Sequence, residues 1–312
     1  MVVPFFDVAA YAPQTLNSLA RNADPRIEFV LVDDASTDGT SEILADAAGW
    51  LPQARVVSQP RNRGLSAARN TGMDASEGDY LTFLDGDDVA APGYFTDLLE
   101  SISRLGCQFV RTDHVQVYGR SRVVHRVAHG PRNIVADPRT GIGPAGRRSS
   151  VDSPNAWSGA YSRELLDSGL LRFDEDLRTC EDRPWAWRLH LYAASFAVVG
   201  LHGVRYRRAV SSSLTQLADE RQLDFLPAFG KIIDAVRADR DSSLFLPKAI
   251  RSLCAMVCHH LGRLEHYPPP LAAELKRRCR DMLRGLGSDL DQPLAGLDPV
   301  RSKTIRTLLA AT

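Results

Sequence analysis

The 312-residue sequence has few cysteines, no net charge and no long apolar run, and each shortage removes a class of protein. Its five cysteines, Cys107, Cys180, Cys254, Cys258 and Cys279, are odd in number and irregularly spaced. That excludes a disulfide framework and fits reduced thiols in a cytoplasmic protein. Lys+Arg and Asp+Glu both total 38, so no global field gathers polyanions and no nucleic-acid partner is expected. No stretch has the length and apolarity of a transmembrane segment, and the start lacks a basic region followed by an apolar one. The expectation is a cytoplasmic protein, free or peripheral on the cytoplasmic face of the membrane. Lysine is scarce beside arginine, so local arginine density is a weak signal. What remains, at 44% hydrophobic and 24% charged residues, is a globular composition with room for one large domain and an appendage.

Met1 to Phe6 reads as a short apolar strand with Pro4 near its end, since proline cannot donate to a central ladder. The strand starts at the first residue, which suggests a native start further upstream. A helix over 8–22 is stopped by Asp24-Pro25, and Ile27 to Val32 is a strand ending in Asp33-Asp34. Ser36 to Glu42 offers N-caps for the next helix, and then come a strand over 54–58, a helix over 64–75 and a strand over 80–84. Strand and helix alternate with short connections, which predicts an α/β, doubly wound, mostly parallel sheet. In such sheets ligands bind at the carboxyl ends of the strands. There the run Tyr80-Leu-Thr-Phe-Leu84 ends in Asp85, Asp87 and Asp88. Two carboxylates flanking one small residue can share a hard divalent cation, Mg²⁺ or Mn²⁺, carrying a phosphate. Alone, Asp-Gly-Asp is equally readable as a surface turn. The second acidic tip, Asp33-Asp34, on the same edge favours a site.

A helix from Pro92 to Leu105 precedes a β-rich stretch over 107–127. Residues 130–153, rich in Gly, Pro, Arg and Ser, read as a long loop over the active face. From Arg111 to Arg148 there are eight arginines against two acids, which reads as a solvated segment or, alternatively, a surface for an anionic acceptor. Gly141 to Gly146 spells G-x-G-x-x-G, but no strand precedes it and Pro144 lies inside, so no dinucleotide site is expected. Asn155 to Tyr161 is strand-like and Ser162 can cap a helix. Pro184 suits the first turn of the next helix, which places Glu181 and Asp182 at its positive end. Two strands, 196–199 and 204–208, follow. From Thr215 the pattern is helical, with breaks expected near Pro227, Pro247, Pro268 to Pro270 and Pro293. The domains are therefore 1–215 and 216–312, the second expected to mediate homo-oligomerisation or bind acceptor. Cys254-x-x-x-Cys258-His259-His260 has zinc-like spacing but lacks a second ligand pair, and reads as core packing.

Three segments in order, Val32-Asp-Asp-Ala-Ser-Thr-Asp-Gly-Thr40, Asn62-Arg-Gly-Leu-Ser-Ala-Ala-Arg-Asn-Thr-Gly72 and Gly78-Asp-Tyr-Leu-Thr-Phe-Leu-Asp-Gly-Asp-Asp88, resemble glycosyltransferase family 2 with its GT-A fold. The resemblance covers residues 1–215. With a helical region behind it, the arrangement is similar to bacterial polysaccharide and wall-teichoic-acid glycosyltransferases. It implies inverting, metal-dependent transfer from a nucleotide-sugar donor, expected to be UDP-linked, to a hydroxyl of a bacterial surface glycan or polyol-phosphate polymer.

By resemblance, Asp87 holds Mn²⁺ or Mg²⁺ and Asp85 lies near the ribose or sugar. Pro4 and Phe6 pack on the base, Asp34 accepts from the base imide, and Asn62 and Arg69 hold the donor. Phe6 stands where many relatives have Tyr, and Asp7 where Asn is usual. Glu181-Asp182 matches the acceptor-side acidic motif, with Asp182 the general base or, alternatively, only a helix cap. Tyr206-Arg207-Arg208 followed by Ser213-Leu-Thr resembles the segment that closes over the diphosphate, so Arg207 or Arg208 is expected to touch phosphate. One rival reading is a sugar-phosphate nucleotidylyltransferase, but the Gly-rich basic loop it needs after the first strand is absent from Phe6 to Tyr11. Another is a non-catalytic binding or scaffold protein on a retained frame.

Overall fold

A computed structural model describes residues 1–208 and 218–311. The expected boundary at 215 and the Ser213-Leu-Thr segment lie outside the described residues. Strands β1 (Val2–Phe5), β2 (Phe29–Asp33), β3 (Ala54–Ser58) and β4 (Tyr80–Leu81) alternate with helices α1 (Ala12–Ala20), α2 (Thr40–Trp50) and α3 (Leu65–Ala75). Then come β5 (Val89–Ala90), α4 (Tyr94–Leu105), β6 (Phe109–Thr112), β7 (His114–Tyr118), β8 (Ser121–His125), β9 (Gly159–Ser162) and α5 (Arg163–Asp167). Helix α6 (Asp182–Tyr192) and strands β10 (Phe196–Val199) and β11 (Val204–Arg207) complete the α/β part. The helical region holds α7 (Phe225–Arg237), α8 (Ser242–Leu261), α9 (Pro269–Gly285), α10 (Asp291–Ala295) and α11 (Pro299–Ala310).

The unbroken apolar runs of β1 and β2 are those of strands covered on both faces. These strands pair in parallel with each other, with Val3 opposite Leu31, and β2 pairs in parallel with β3, with Val32 opposite Val57. The sheet continues from β1 to the residues after β4: Val2 N–H donates to Thr82 O at 2.9 Å, and Leu84 N–H to Val2 O at 3.2 Å. Beyond β4 lie β9, β6 and β10, giving the order β3-β2-β1-β4-β9-β6-β10. Among the described strands of this sheet, only β9 runs against its neighbours. As expected, Pro4 sits one residue before the end of β1, and the acidic tips after β2 and β4 fall on one edge. A small second sheet, β5-β11-β7-β8, sets Arg205 opposite Val89 and so brings Tyr206, Arg207 and Arg208 beside the acidic turn.

The core forms two hydrophobic clusters, one around the sheet and one around α7 to α11. Helix α6 belongs to both: Trp185 and Leu189 enter the first, Trp187 and Leu191 the second. Segment 130–153 departs from the expectation of a loop over the active face. It packs Ile142 and Val151 into the helical cluster, and Arg139 pairs with Asp239 and, at 2.6 Å, with Asp241. The counter-charges of this arginine lie about a hundred residues along the chain, where a local charge count cannot see them. Gly141 ends a 3-10 turn against His190, outside any strand-to-helix phosphate loop. Pro247 does not break α8, because it lies in the second turn, where only one backbone donor is lost. Cys254 is buried in the helical core and His260 stacks on Phe225 with 4.3 Å between ring centroids, which agrees with packing.

Candidate active site

A cleft of about 950 Å³ opens at the carboxyl ends of β1, β2 and β4, and every site residue expected from the sequence lines it: Pro4, Phe6, Asp34, Asn62, Arg69, Asp85, Asp87, Glu181, Asp182, Arg207 and Arg208. At one lip Phe6 is 44% exposed, leaving a free ring face. Of the first acidic tip only Asp34 enters the cleft. Asp33 turns toward α2, accepting from Ser36 N–H at 3.0 Å and Ser41 Oγ at 2.5 Å. The buried Asp34 carboxylate accepts from Gln59 Nε2 (2.9 Å), Asn62 Nδ2 (3.0 Å) and the N–H groups of Arg63 and Gly64 (2.8 Å each). Two donors per oxygen fill its usual acceptor capacity, so Asp34 and Asn62 fix the loop leading into α3. Burial raises the Asp34 pKa, and the two backbone donors oppose it.

The acidic turn after β4 lies against β1. A Cβ at Gly86 would stand 2.6 Å from Phe5 Cδ1 and 2.7 Å from Pro4 O, so only glycine permits this approach. Arg207 braces the turn: its N–H donates to Asp88 Oδ1 at 2.7 Å, its Nε to Asp87 O at 2.9 Å, and its guanidinium lies 4.9 Å from the Tyr11 ring centroid. Arg208 instead donates to Tyr206 Oη at 3.0 Å. Burial, and secondarily the Asp85 charge, push Asp87 up to about 6. Asp88 is raised further by burial and the two neighbouring acids, and its buried Oδ2 has no partner. Among the described residues no cation forms an ion pair with Asp87, and no three His, Cys, Asp or Glu side chains are placed to hold a metal by themselves. A carboxylate without an ion-pair partner among the described residues suits a hard divalent cation that takes most of its ligands from phosphate and water.

The acceptor-side pair stands at the start of α6, where Cys180 takes a left-handed φ of 59°. Glu181, the residue before the helix, makes no side-chain capping bond to it, and Asp182 is the acidic residue of its first turn. Burial pushes Glu181 up to about 7 against the pull of Arg69. Asp182 is likewise raised by burial, opposed by Arg183 and Arg69. Arg69, only 3% exposed, joins the two acidic groups: Nη2 is 2.8 Å from Asp85 Oδ1 and Nη1 is 2.8 Å from Glu181 Oε1. The expected donor-holding residue is therefore occupied by carboxylates.

Sequence reasoning missed the far wall. His259, His260, Arg263 and His266, at and beyond the end of α8, line the same cleft with Arg178 and Arg221. Reading Cys254 to His260 as core packing fits Cys254, but it did not place His259 and His260 on the cleft. Trp157 and Tyr206, with ring centroids 5.2 Å apart, supply an aromatic wall.

Residues 1–153 match the profile described as glycosyl transferase family 2. The uncharacterized glycosyltransferase EpsJ of Bacillus subtilis is 32% identical over 190 residues, 59% of this chain and 54% of the relative. The putative teichuronic acid biosynthesis glycosyltransferase TuaG of the same organism is 28% identical over 137 residues, 44% of this chain and 54% of the relative. The chain thus spans about half the length of these curated relatives. Among solved structures, S. aureus TarS 1-349 in complex with UDP-GlcNAc superposes with a TM-score of 0.73 at 18% identity, covering 99% of this chain and 89% of that one. That likeness spans the α/β part and the helical region and confirms the GT-A-type fold. The profile of glycosyl transferase family 2 thus matches the part of the chain that holds the three ordered motifs and the acidic turn of the cleft.

Proposed function

We propose that this protein is an inverting, metal-dependent glycosyltransferase that moves a sugar from a UDP-sugar to a hydroxyl of a bacterial surface glycan or polyol-phosphate polymer. The observation that carries the reading is the meeting in one cleft of the acidic turn Asp85 to Asp88 and the separate pair Glu181-Asp182. The reaction needs two acidic groups with different tasks. Asp182 takes the proton of the acceptor hydroxyl as its oxygen bonds to the anomeric carbon; the bond from that carbon to the diphosphate breaks, and its electron pair leaves with the nucleotide. Asp87 would hold Mg²⁺ or Mn²⁺, which when bound supplies charge neutralisation at the diphosphate. Arg208 lines the same cleft and would add a phosphate contact, while Arg207 holds the turn in shape.

Pro4 and the open Phe6 ring offer a surface for a flat base. UDP as the nucleotide is supported by the motifs and by the UDP and UDP-GlcNAc held by TarS. Arg178 on the far wall, beside Arg221 that is already paired with Asp219, favours an acceptor bearing phosphates or carboxylates. A screen of nucleotide sugars for metal-dependent release of nucleotide tests the donor. Asp182→Asn is expected to abolish transfer and leave UDP affinity within about threefold, since the base acts on the acceptor alone. Near-normal transfer by that variant would remove Asp182 from the mechanism. Chelation with EDTA is expected to stop turnover, with recovery on adding Mn²⁺ or Mg²⁺; full turnover in EDTA would refute the metal requirement.

A further inference from the structure

We propose that Arg69 is a positioning residue that couples the donor side of the cleft to the acceptor side, holding Asp85 and the Glu181-Asp182 pair in one fixed geometry. This rests on the reading of Asp182 as base. The guanidinium is planar with its donors in a fork, and it uses both arms: one at 2.8 Å from Asp85 Oδ1, the other at 2.8 Å from Glu181 Oε1. Its central carbon lies over the Phe173 ring, 5.1 Å from the centroid. The floor beneath it is fixed too, because the next residue, Asn70, donates to Phe173 O at 3.0 Å and accepts from Phe173 N–H at 2.9 Å. A group this buried and this constrained cannot follow one partner without leaving the other. A shift in the donor-side turn therefore reaches the start of α6, where the proton-accepting carboxylate stands.

The charge matters as much as the shape. The Glu181-Asp182 pair is faced by Arg69 from α3, Asp85 from the acidic turn, Arg111 from β6, Arg183 from α6 itself and Cys180 from the turn before it. Three carboxylates, the buried Glu181 and the partly buried Asp85 and Asp182, thus share Arg69 as a common cation, and Arg69 is the one hydrogen-bonded to Glu181. Without it, the ionised form of Asp182 that must accept a proton loses one of the cations that oppose the effect of burial.

Four proteins separate this from a merely structural role: wild type, Arg69→Met, Arg69→Lys and Asp182→Asn, each checked for folding by circular dichroism. The readout is the pH profile of transfer. Arg69→Met is expected to lower kcat about 100-fold and to move the acidic limb upward by about one pH unit. Arg69→Lys keeps the charge but not the fork, so kcat falls about tenfold with a smaller shift of the limb. A folded Arg69→Met whose limb stays in place overturns the proposal. If Arg69→Met does not fold, wild-type rate and profile in Arg69→Lys overturns it. Should Asp182→Asn remain active while Arg69→Met still moves the limb, the coupling stands and the base is reassigned to Glu181. The two readings therefore fail separately.

Discussion

Asp87 carries a charge that folding opposes. Its carboxyl is pushed from 3.8 up to about 6 by burial and by Asp85, so the folded apoprotein binds a proton there more tightly than the unfolded chain. The linkage sign follows: this group favours the folded state below pH 4, and the benefit is lost as pH rises through about 6. At pH 7 the burden is at most about 3 kcal/mol. Asp87→Asn measured in EDTA is therefore expected to melt higher than wild type at pH 7, the difference disappearing near pH 4. An unchanged melting temperature at pH 7 would mean that Asp87 is relieved by some other charge. A residue kept at this expense fits a bound cation, which would supply the missing counter-charge. Such residues were legible in the sequence because Asp85-Gly86-Asp87 is local and follows a strand. The partners of Arg69 were not, since Glu181 lies 112 residues further on.

At the level of elements, α6 is where the two halves of the chain meet. The sequence marked its start through Pro184. It did not reveal that the opposite face, Trp187 and Leu191, is also buried, because a helix covered on both sides has no polar stripe to read. The 130–153 segment was misjudged for a related reason. Its arginines looked solvated until folding brought Asp239 and Asp241 to Arg139, whose guanidinium also lies 4.9 Å from the Phe245 ring centroid. The Arg139 side chain is 12% exposed and that of Asp239 6%, so removing the cation strands a buried carboxylate. Arg139→Met is expected to cost about 3 kcal/mol in urea denaturation, and pairing it with Asp239→Asn should recover part of the loss. Strict additivity of the two substitutions would show that the ion pair does not couple the segment to the helical region. Loss of stability here should lower activity too, since the same α6 carries Asp182 into the cleft.

For the whole molecule, the sharing of α6 between both clusters argues that the α/β part and the helical region unfold together, although the sequence pattern divides them into two domains. Acid provides the test. Burial holds His114 and His260 down to about 4 and His190 down to about 3, so all three are neutral in the fold and must gain a proton to follow the unfolded chain. Their contribution is complete above pH 6.5 and is lost as pH falls toward 4. His190 contacts the sheet-side residues Phe109 and Phe196, whereas His260 stacks on Phe225 of the helical cluster. Each half therefore carries its own acid trigger in the same window. All four tryptophans precede the helical region, so their fluorescence reports the α/β part and α6, while far-ultraviolet circular dichroism weights the helices. The two signals are expected to change at one midpoint on acidification from pH 6.5, and His190→Gln or His260→Gln should each move that common midpoint. Separate midpoints, with each substitution moving only its own, would show that α6 packs on both clusters without joining them into one cooperative unit.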